Sequence, residues 1–436
     1  MPESRGSVRE IVWREVFPWL LLVRSFRAAT QVGQLALGSA GVLATIFGWW
    51  LLARVFSGTE EQPLADWIKY YESCPWSDAS PVEGPQATTP LPLAEAWQDA
   101  PPVLGEFPSN PFVGPWQQLR APFVGLFNAE LGVTGLAFLL FACLWAAAVW
   151  ALFGGAITRR AALQLGREEN IGMRAALRYA ASKWGSYFAA PLLPLLGVAL
   201  AAAPVWLLGL VMRLDAGTLL AGILWPLALL AGFFMALLLL ALLFGWPLMW
   251  PTISAEGTDS FDALSRAWSY VYHRPLHYLF YAAVVSLLGW LGWLFVSHFA
   301  DWVAYLPAWA ASWGAGQDRM AELSGAAETG PGALGRWGWS LIGFWNGCIR
   351  LAALGFVYSY FWTASTAIYL LLRHDDDGTE IDDINVDSPA PAYGLPPLAA
   401  DAAGVHVAAK EEPNEIADPV EPPSGTGHPP DTDAAG

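Results

Sequence analysis

An all-α fold, a polytopic membrane helix bundle, is what this 436-residue sequence predicts, and three observations predict it. Hydrophobic residues make up 55% of the chain against 14% charged, with 25 tryptophans and a positive mean hydropathy, a balance foreign to soluble domains. Charge-free runs recur at lengths that match the about 20 apolar residues needed to cross roughly 30 Å of hydrocarbon. The acidic net charge of -16 is local, because residues 375–436 hold fifteen Asp and Glu against Lys410 alone. The rest is close to neutral, so no nucleic-acid footprint is present. About six transmembrane helices are expected, with amphipathic interfacial helices and a disordered acidic C-terminal tail.

The elements follow in order. Residues 1–27 read as an N-terminal interfacial segment carrying Arg5, Arg9, Arg14, Arg24 and Arg27. The first span is residues 28–56, whose uncharged run 28–53 is much longer than the apolar core of a signal peptide and is expected to remain as a helix. Residues 57–129 form an outer loop rich in Pro and Trp, with nine acids against Lys69 and Arg120. Trp67, Trp76, Trp97 and Trp116 make it too aromatic for a plain linker, and it reads as a cap over the outer mouth or a site for an envelope partner.

Residues 130–373 read as five membrane helices, from the runs 131–158, 184–212, 216–255, 275–300 and 337–372. The 40 residues of 216–255 would suffice for two tight spans; the lack of a polar turn, with Gly245, Pro247 and Pro251 near the end, favours one. Trp302, Tyr305, Trp309 and Trp313 recur at helical spacing as an outer aromatic belt. Residues 374–436 are the acidic tail; counting back from Gly378 puts Arg373 where a calcium loop needs an oxygen ligand, and that pattern fails.

Orientation follows from the excess of Lys and Arg on cytoplasmic segments. Residues 159–183 carry Arg159, Arg160, Arg167, Arg174, Arg178 and Lys183, while the outer loop is nearly devoid of them. Six spans then put both termini in the cytoplasm and residues 301–336 outside.

The stretch 255–280 contains an amphipathic helix: Asp259 or Ser260 caps it, Asp262 suits its first turn and Pro275 limits its end. Phe261, Leu264, Trp268 and Val271 share one face, expected to rest on the cytoplasmic leaflet, and Asp262, Ser265, Arg266, Ser269 and His273 fill much of the remainder. An earlier copy begins at Asn170. An offset of 87 residues matches Ala176 to Ala263, Leu177 to Leu264, Ala180 to Ala267 and Ser182 to Ser269, with Met173, Leu177, Ala180 and Trp184 on its apolar face. A weaker third copy lies at 14–31. The chain thus reads as interfacial-helix-plus-hairpin units. Asp262, Ser265, Arg266, Arg174 and Arg178 are the candidate interfacial or partner contacts.

The stretch "ISAEGTDSFDALSRAWSYVYHRPLHY" also resembles bacterial multi-spanning proteins related to the glycerophosphodiester phosphodiesterase membrane domain, over residues 130–372. That resemblance implies a helical membrane module. It carries no catalytic residue across, because the phosphodiesterase chemistry of that family resides in a separate soluble domain that this sequence does not match.

Chemical motifs are missing from the sequence: no phosphate-binding loop, zinc-protease helix, nucleophile elbow or dinucleotide fingerprint, hence no expected cofactor or metal. Cys74, Cys143 and Cys348 are widely separated and suggest no framework. His273 and His277 are four apart but straddle Pro275, which favours interfacial anchoring beside Tyr270, Tyr272 and Tyr278 over metal binding. Arg350 is the one charge inside a run; counted from Leu372 it falls near the outer headgroups, within reach of Asp301 or Glu130. Ser359, Thr363 and Thr366 form a polar stripe that joins helices or lines a path. Gly38 with Gly41, Gly197 with Ala201, and Gly289 with Gly292 offer small faces for close packing.

Two functional classes remain. The first is a non-catalytic membrane module that organises lipid or protein partners, whether the bilayer itself or a cytoplasmic or envelope protein. The alternative is a transporter or permease component whose helices at 170–184 and 259–273 act as couplers.

Overall fold

The computed structural model describes residues 17–57, 110–128, 131–324 and 330–386, with Leu64, Ala65 and Ile68 also placed. The described helices belong to one unit that ends at Asn385. The expected tail beyond Val386 and most of the outer loop lie outside the described residues.

Eleven helices are described: α1 (Leu20–Ala29), α2 (Val32–Val55), α3 (Val113–Gly125), α4 (Val133–Gly166), α5 (Met173–Ser182), α6 (Trp184–Val211), α7 (Asp215–Glu256), α8 (Ser260–His273), α9 (Pro275–Ala315), α10 (Gln317–Ser324) and α11 (Ala333–Asp377). Six of them, α2, α4, α6, α7, α9 and α11, are long and apolar enough to cross a membrane. They match the six charge-free runs, and the chain is a multi-pass helical membrane protein.

The long fourth run is one helix of 42 residues, roughly 63 Å at the helical rise. Pro226, Pro247 and Pro251 are accommodated within it, and it ends at Gly257, whose φ of 69° is the left-handed C-terminal turn that glycine adopts without strain. The fifth span also outruns its charge-free stretch, because the spacing of Trp302, Tyr305 and Trp309 continues the helix to Ala315; all three are exposed.

The short amphipathic helices α1, α5 and α8 form a collar around one end of the bundle, where the larger of two buried clusters lies; the smaller gathers Trp49, Ala53 and Phe138 at the far ends of α2 and α4. Each packs on a long helix whose inner end is buried: α1 on α11, α5 on α4, α8 on α7. The other span of each set packs on the next inner helix, α2 on α4, α6 on α7 and α9 on α11. Two sets are continuous in sequence, α4–α5–α6 and α7–α8–α9. The third is assembled from distant parts of the chain, α11 with α1 and α2.

At the collar end, α11 is buried on all sides from Tyr358 to Arg373. Its rings stack with the other inner helices: Trp362 on Trp250 at 4.3 Å and Tyr358 on Trp150 at 4.5 Å, between ring centroids. Such aromatic pairs add about 0.5–1.5 kcal/mol beyond area burial. At the opposite end, large apolar side chains of α7, α9 and α11 such as Ile223, Phe295 and Leu341 are exposed, as lipid-facing surface requires.

The 87-residue repeat marks the packing faces. Ala176, Ala180, Ala263 and Ala267 are all 0% exposed, and these small side chains bring α5 and α8 onto the inner helices. Of the face expected to rest on the leaflet, Phe261 is exposed, Leu264 and Trp268 are half-buried and Val271 is buried against the protein. A helix at an interface carries two apolar surfaces, one for protein and one for lipid, and bulk alone picks out the second.

Helix α3 departs most from expectation. Positive-charge counting assigns residues 110–125 to the outer segment, yet they enter the bundle. Phe112 meets Phe361 at 5.6 Å between ring centroids. The Trp116 indole donates to the Leu243 carbonyl at 3.2 Å, and the Tyr358 hydroxyl to Gln118 Oε1 at 2.7 Å. Buried Asn110 caps the entry, accepting from the Phe112 amide and donating to the Ser286 carbonyl. The polar groups of this segment find their partners within the protein.

Candidate functional site: the charged collar

The site grows out of the C-terminus of α7. The last carbonyls of a helix lack partners within it. Here distant residues supply them: Tyr179 Oη donates to Ile253 O at 3.1 Å, Arg159 to Ser254 O at 2.6 Å and Lys183 Nζ to Gly257 O at 2.7 Å. Asn385 takes the next two, its amide N–H on Ala255 O at 2.7 Å and its side chain on Glu256 O at 2.8 Å. Positive charge at this negative end of the helix dipole is favourable. Arg159 is buried and its guanidinium lies 4.0 Å over the Tyr179 ring. Beside it the hydroxyls of Thr158 and Tyr187 both engage Ser254 Oγ, at 2.6 and 2.7 Å.

Glu256 is the anionic centre of the collar. Its carboxylate pairs with Arg266 at 2.9 Å, accepts the Tyr369 hydroxyl and lies 4.0 Å from Arg373. Arg373 is buried and also donates to the Glu380 and Asp383 carbonyls, at 3.1 and 2.8 Å, which folds the chain after α11 back on itself. Burial opposes the Arg266 charge, but Glu256 with Tyr270 and Tyr369 outweighs it, and the guanidinium pKa is raised.

Acidic residues Asp375, Asp376 and Asp377, assigned to the tail by charge, are the last turn of α11. Tyr281 Oη donates to Asp375 at 2.7 Å and Tyr270 Oη to Asp377 at 2.5 Å. Asp376 faces His273 Nδ1 at 3.1 Å and Arg274 Nε at 3.5 Å. The helix continues to Asp377 because α8 and α9 supply partners that a solvated tail would lack. Burial and then the Asp377 carboxylate push the Tyr270 pKa up.

The predicted site residues separate accordingly. Arg266 is spent on Glu256, whereas Asp262, Ser265, Arg174 and Arg178 are exposed. Arg350 is exposed on the half of α11 away from the collar. The polar stripe is dispersed in its bonding: Ser359 Oγ donates to Ala29 O at 2.8 Å across to α1, Thr366 Oγ1 to Trp362 O within α11, and Thr363 Oγ1 is buried without a partner. His273 and His277 diverge, the first to Asp376 and the second against the Tyr281 ring. Among the described residues no group of His, Cys, Asp or Glu is arranged to hold a metal ion, and Cys143 and Cys348 are free.

Sequence reasoning missed Glu256, Arg159, Arg373, Asn385 and α3. The first two were visible as charges at the ends of apolar runs. The pairing of Arg373 and Asn385 with α7 has no one-dimensional signature.

Two open clefts are present, the first of them at the collar. One, of about 930 Å³, lies between the α4–α5 turn and the chain after α11, with Glu168, Glu169, Glu380, Asp382 and Asp383 on its walls. The other, of about 330 Å³, is apolar and is formed by α2, α4 and α6. No protein-family model, curated protein or solved structure matches the chain. Fold and collar together define its class: a polytopic α-helical membrane protein with a polar, internally paired collar at one end.

Proposed function

We propose that the protein is a non-catalytic membrane module whose collar faces the cytoplasm and organises lipid or protein partners. The observation that carries this reading is the use of the collar's charges: Glu256 pairs with Arg266 and Arg373, Asp375 and Asp377 with tyrosines, and Asp376 with His273 and Arg274, and so they hold a scaffold together. The core beneath it is filled by Trp150, Trp362, Tyr187 and Tyr360, all fully buried. Partner contact falls to the exposed outer faces of α5 and α8. Kinship with the membrane domain that the 255–280 stretch resembles is part of the same proposal.

The alternative, a transporter or permease component, is favoured by α3, since a helix that enters a bundle without crossing it recurs where solutes are bound in mid-membrane. Crosslinking through a photoreactive side chain at Ser265, which is exposed on α8, separates the two. Capture of lipid or of membrane and envelope proteins supports the module; stoichiometric capture of a cytoplasmic ATPase overturns it in favour of the coupler.

A further inference from the structure

We propose that α5 and the apolar crevice beside it form a binding site for an anionic phospholipid, with an acyl chain in the crevice and the headgroup on Arg174 and Arg178. The proposal rests on the module reading in its lipid form.

The crevice comes first. Gly48, Leu51, Trp145, Ala148, Trp184 and Phe188 are among its walls, drawn from α2, α4 and α6. Two of those walls are tryptophans, whose indole N–H groups would ordinarily make the surface polar. Both are satisfied by backbone: Trp145 Nε1 donates to Ala44 O at 3.0 Å and Trp184 Nε1 to Ala148 O at 3.0 Å. A Cβ at Gly48 would stand 1.8 Å from Trp145 Nε1, so only glycine lets that ring lie flat and leave the crevice open. What remains is an open apolar crevice on membrane-spanning helices, where hydrocarbon is the surrounding solvent.

Charge decides which lipid. Helix α5 packs on α4, α6 and α2, the same three helices that form the crevice. It carries Arg174 and Arg178 and no acid, and Lys183 at its end is followed directly by the crevice residue Trp184. Four residues apart, Arg174 and Arg178 share a helix face, are exposed, and make no ion pair among the described residues. This contrasts with Arg159, Arg266 and Arg373, each held by a protein oxygen. Two exposed arginines on the short helix that leads into the crevice wall at Trp184 match a phosphate-bearing headgroup with net negative charge, which guanidinium binds through paired hydrogen bonds.

The test uses the full chain in mild detergent, with lipid adducts counted by native mass spectrometry. Phosphatidylglycerol is expected to bind several-fold more than phosphatidylcholine with the same acyl chains. Arg174→Gln with Arg178→Gln should bring the two to parity without lowering the melting temperature, since both side chains are exposed. Leu51→Trp, which fills the slot from an exposed position, should reduce both lipids. Equal binding by the wild type, an unchanged preference in the double variant, or full displacement of phosphatidylglycerol by soluble glycerol phosphate would overturn the proposal. Any of those results together with lipid or envelope crosslinks from Ser265 would mean that this site fails while the module reading stands.

Discussion

Asn385 donates its backbone N–H to the Ala255 carbonyl at 2.7 Å and its side-chain amide to the Glu256 carbonyl at 2.8 Å, so the chain that leaves α11 closes the end of α7. Asn385→Ala keeps the first bond and loses the second. An exposed hydrogen bond of this kind contributes about 0.5–1.5 kcal/mol. A modest fall in melting temperature is expected, with faster hydrogen exchange confined to residues near 255 and 378–385.

Glu256 and its two arginines give unequal effects. Glu256→Gln leaves the buried Arg373 without a nearby carboxylate and should cost about 3 kcal/mol, the lower range for removing one partner of a buried pair. Arg266 is 46% exposed in its side chain, and Arg266→Gln should cost about 1 kcal/mol or less. Denaturation of both single variants and the double variant in detergent checks this; equal costs would contradict the assignment of Glu256 as the shared centre.

An alkaline transition is expected from Tyr270. Its pKa is raised by burial and by Asp377, so the folded state favours the neutral phenol. That contribution is complete below the ordinary tyrosine pKa of about 10 and is lost as pH rises through the folded value. Melting temperatures followed from about pH 8 upward should fall more steeply above about pH 10 in the wild type than in Tyr270→Phe; parallel slopes would remove Tyr270 as the titrating group.

Two glycines test the packing. A Cβ at Gly38 would stand 2.2 Å from the Gly355 carbonyl oxygen, a backbone atom that cannot step aside. Gly38→Ala should therefore part α2 from α11 at a cost of about 1–3 kcal/mol. Gly222 in α7 has nothing within 4 Å of such a Cβ, and Gly222→Ala should be neutral or stabilising by up to about 1 kcal/mol through helix propensity. Thermal unfolding of the two variants in the same detergent measures the contrast.

Much of the fold was legible because crossing a bilayer imposes a length, and that length is written as absence of charge. Runs such as 184–212 and 216–255 became α6 and α7 within a residue or so of their charge boundaries. The repeat was legible through Ala176, Ala180, Ala263 and Ala267, since close approach tolerates few side chains. The collar was not. Asp375–Asp377 read as solvated because their partners Tyr270, His273 and Tyr281 lie about a hundred residues earlier. Helix α3 was hidden for a related reason: Asn110, Trp116 and Gln118 are polar enough for a loop, and the carbonyls and hydroxyl that hold them belong to helices distant in sequence.

The third set of the collar joins α1 and α2 to α11, the last span described in the chain. Ribosomal synthesis proceeds from the amino end, so α1 and α2 enter the membrane well before their main packing partner exists. Gly38, the Ala29 carbonyl and Phe26 face lipid or a chaperone until Gly355, Ser359 and Phe356 arrive. Closure of the ring is thus a post-insertion event, and a ribosome stalled before α11 would expose an incomplete bundle that membrane quality control can recognise.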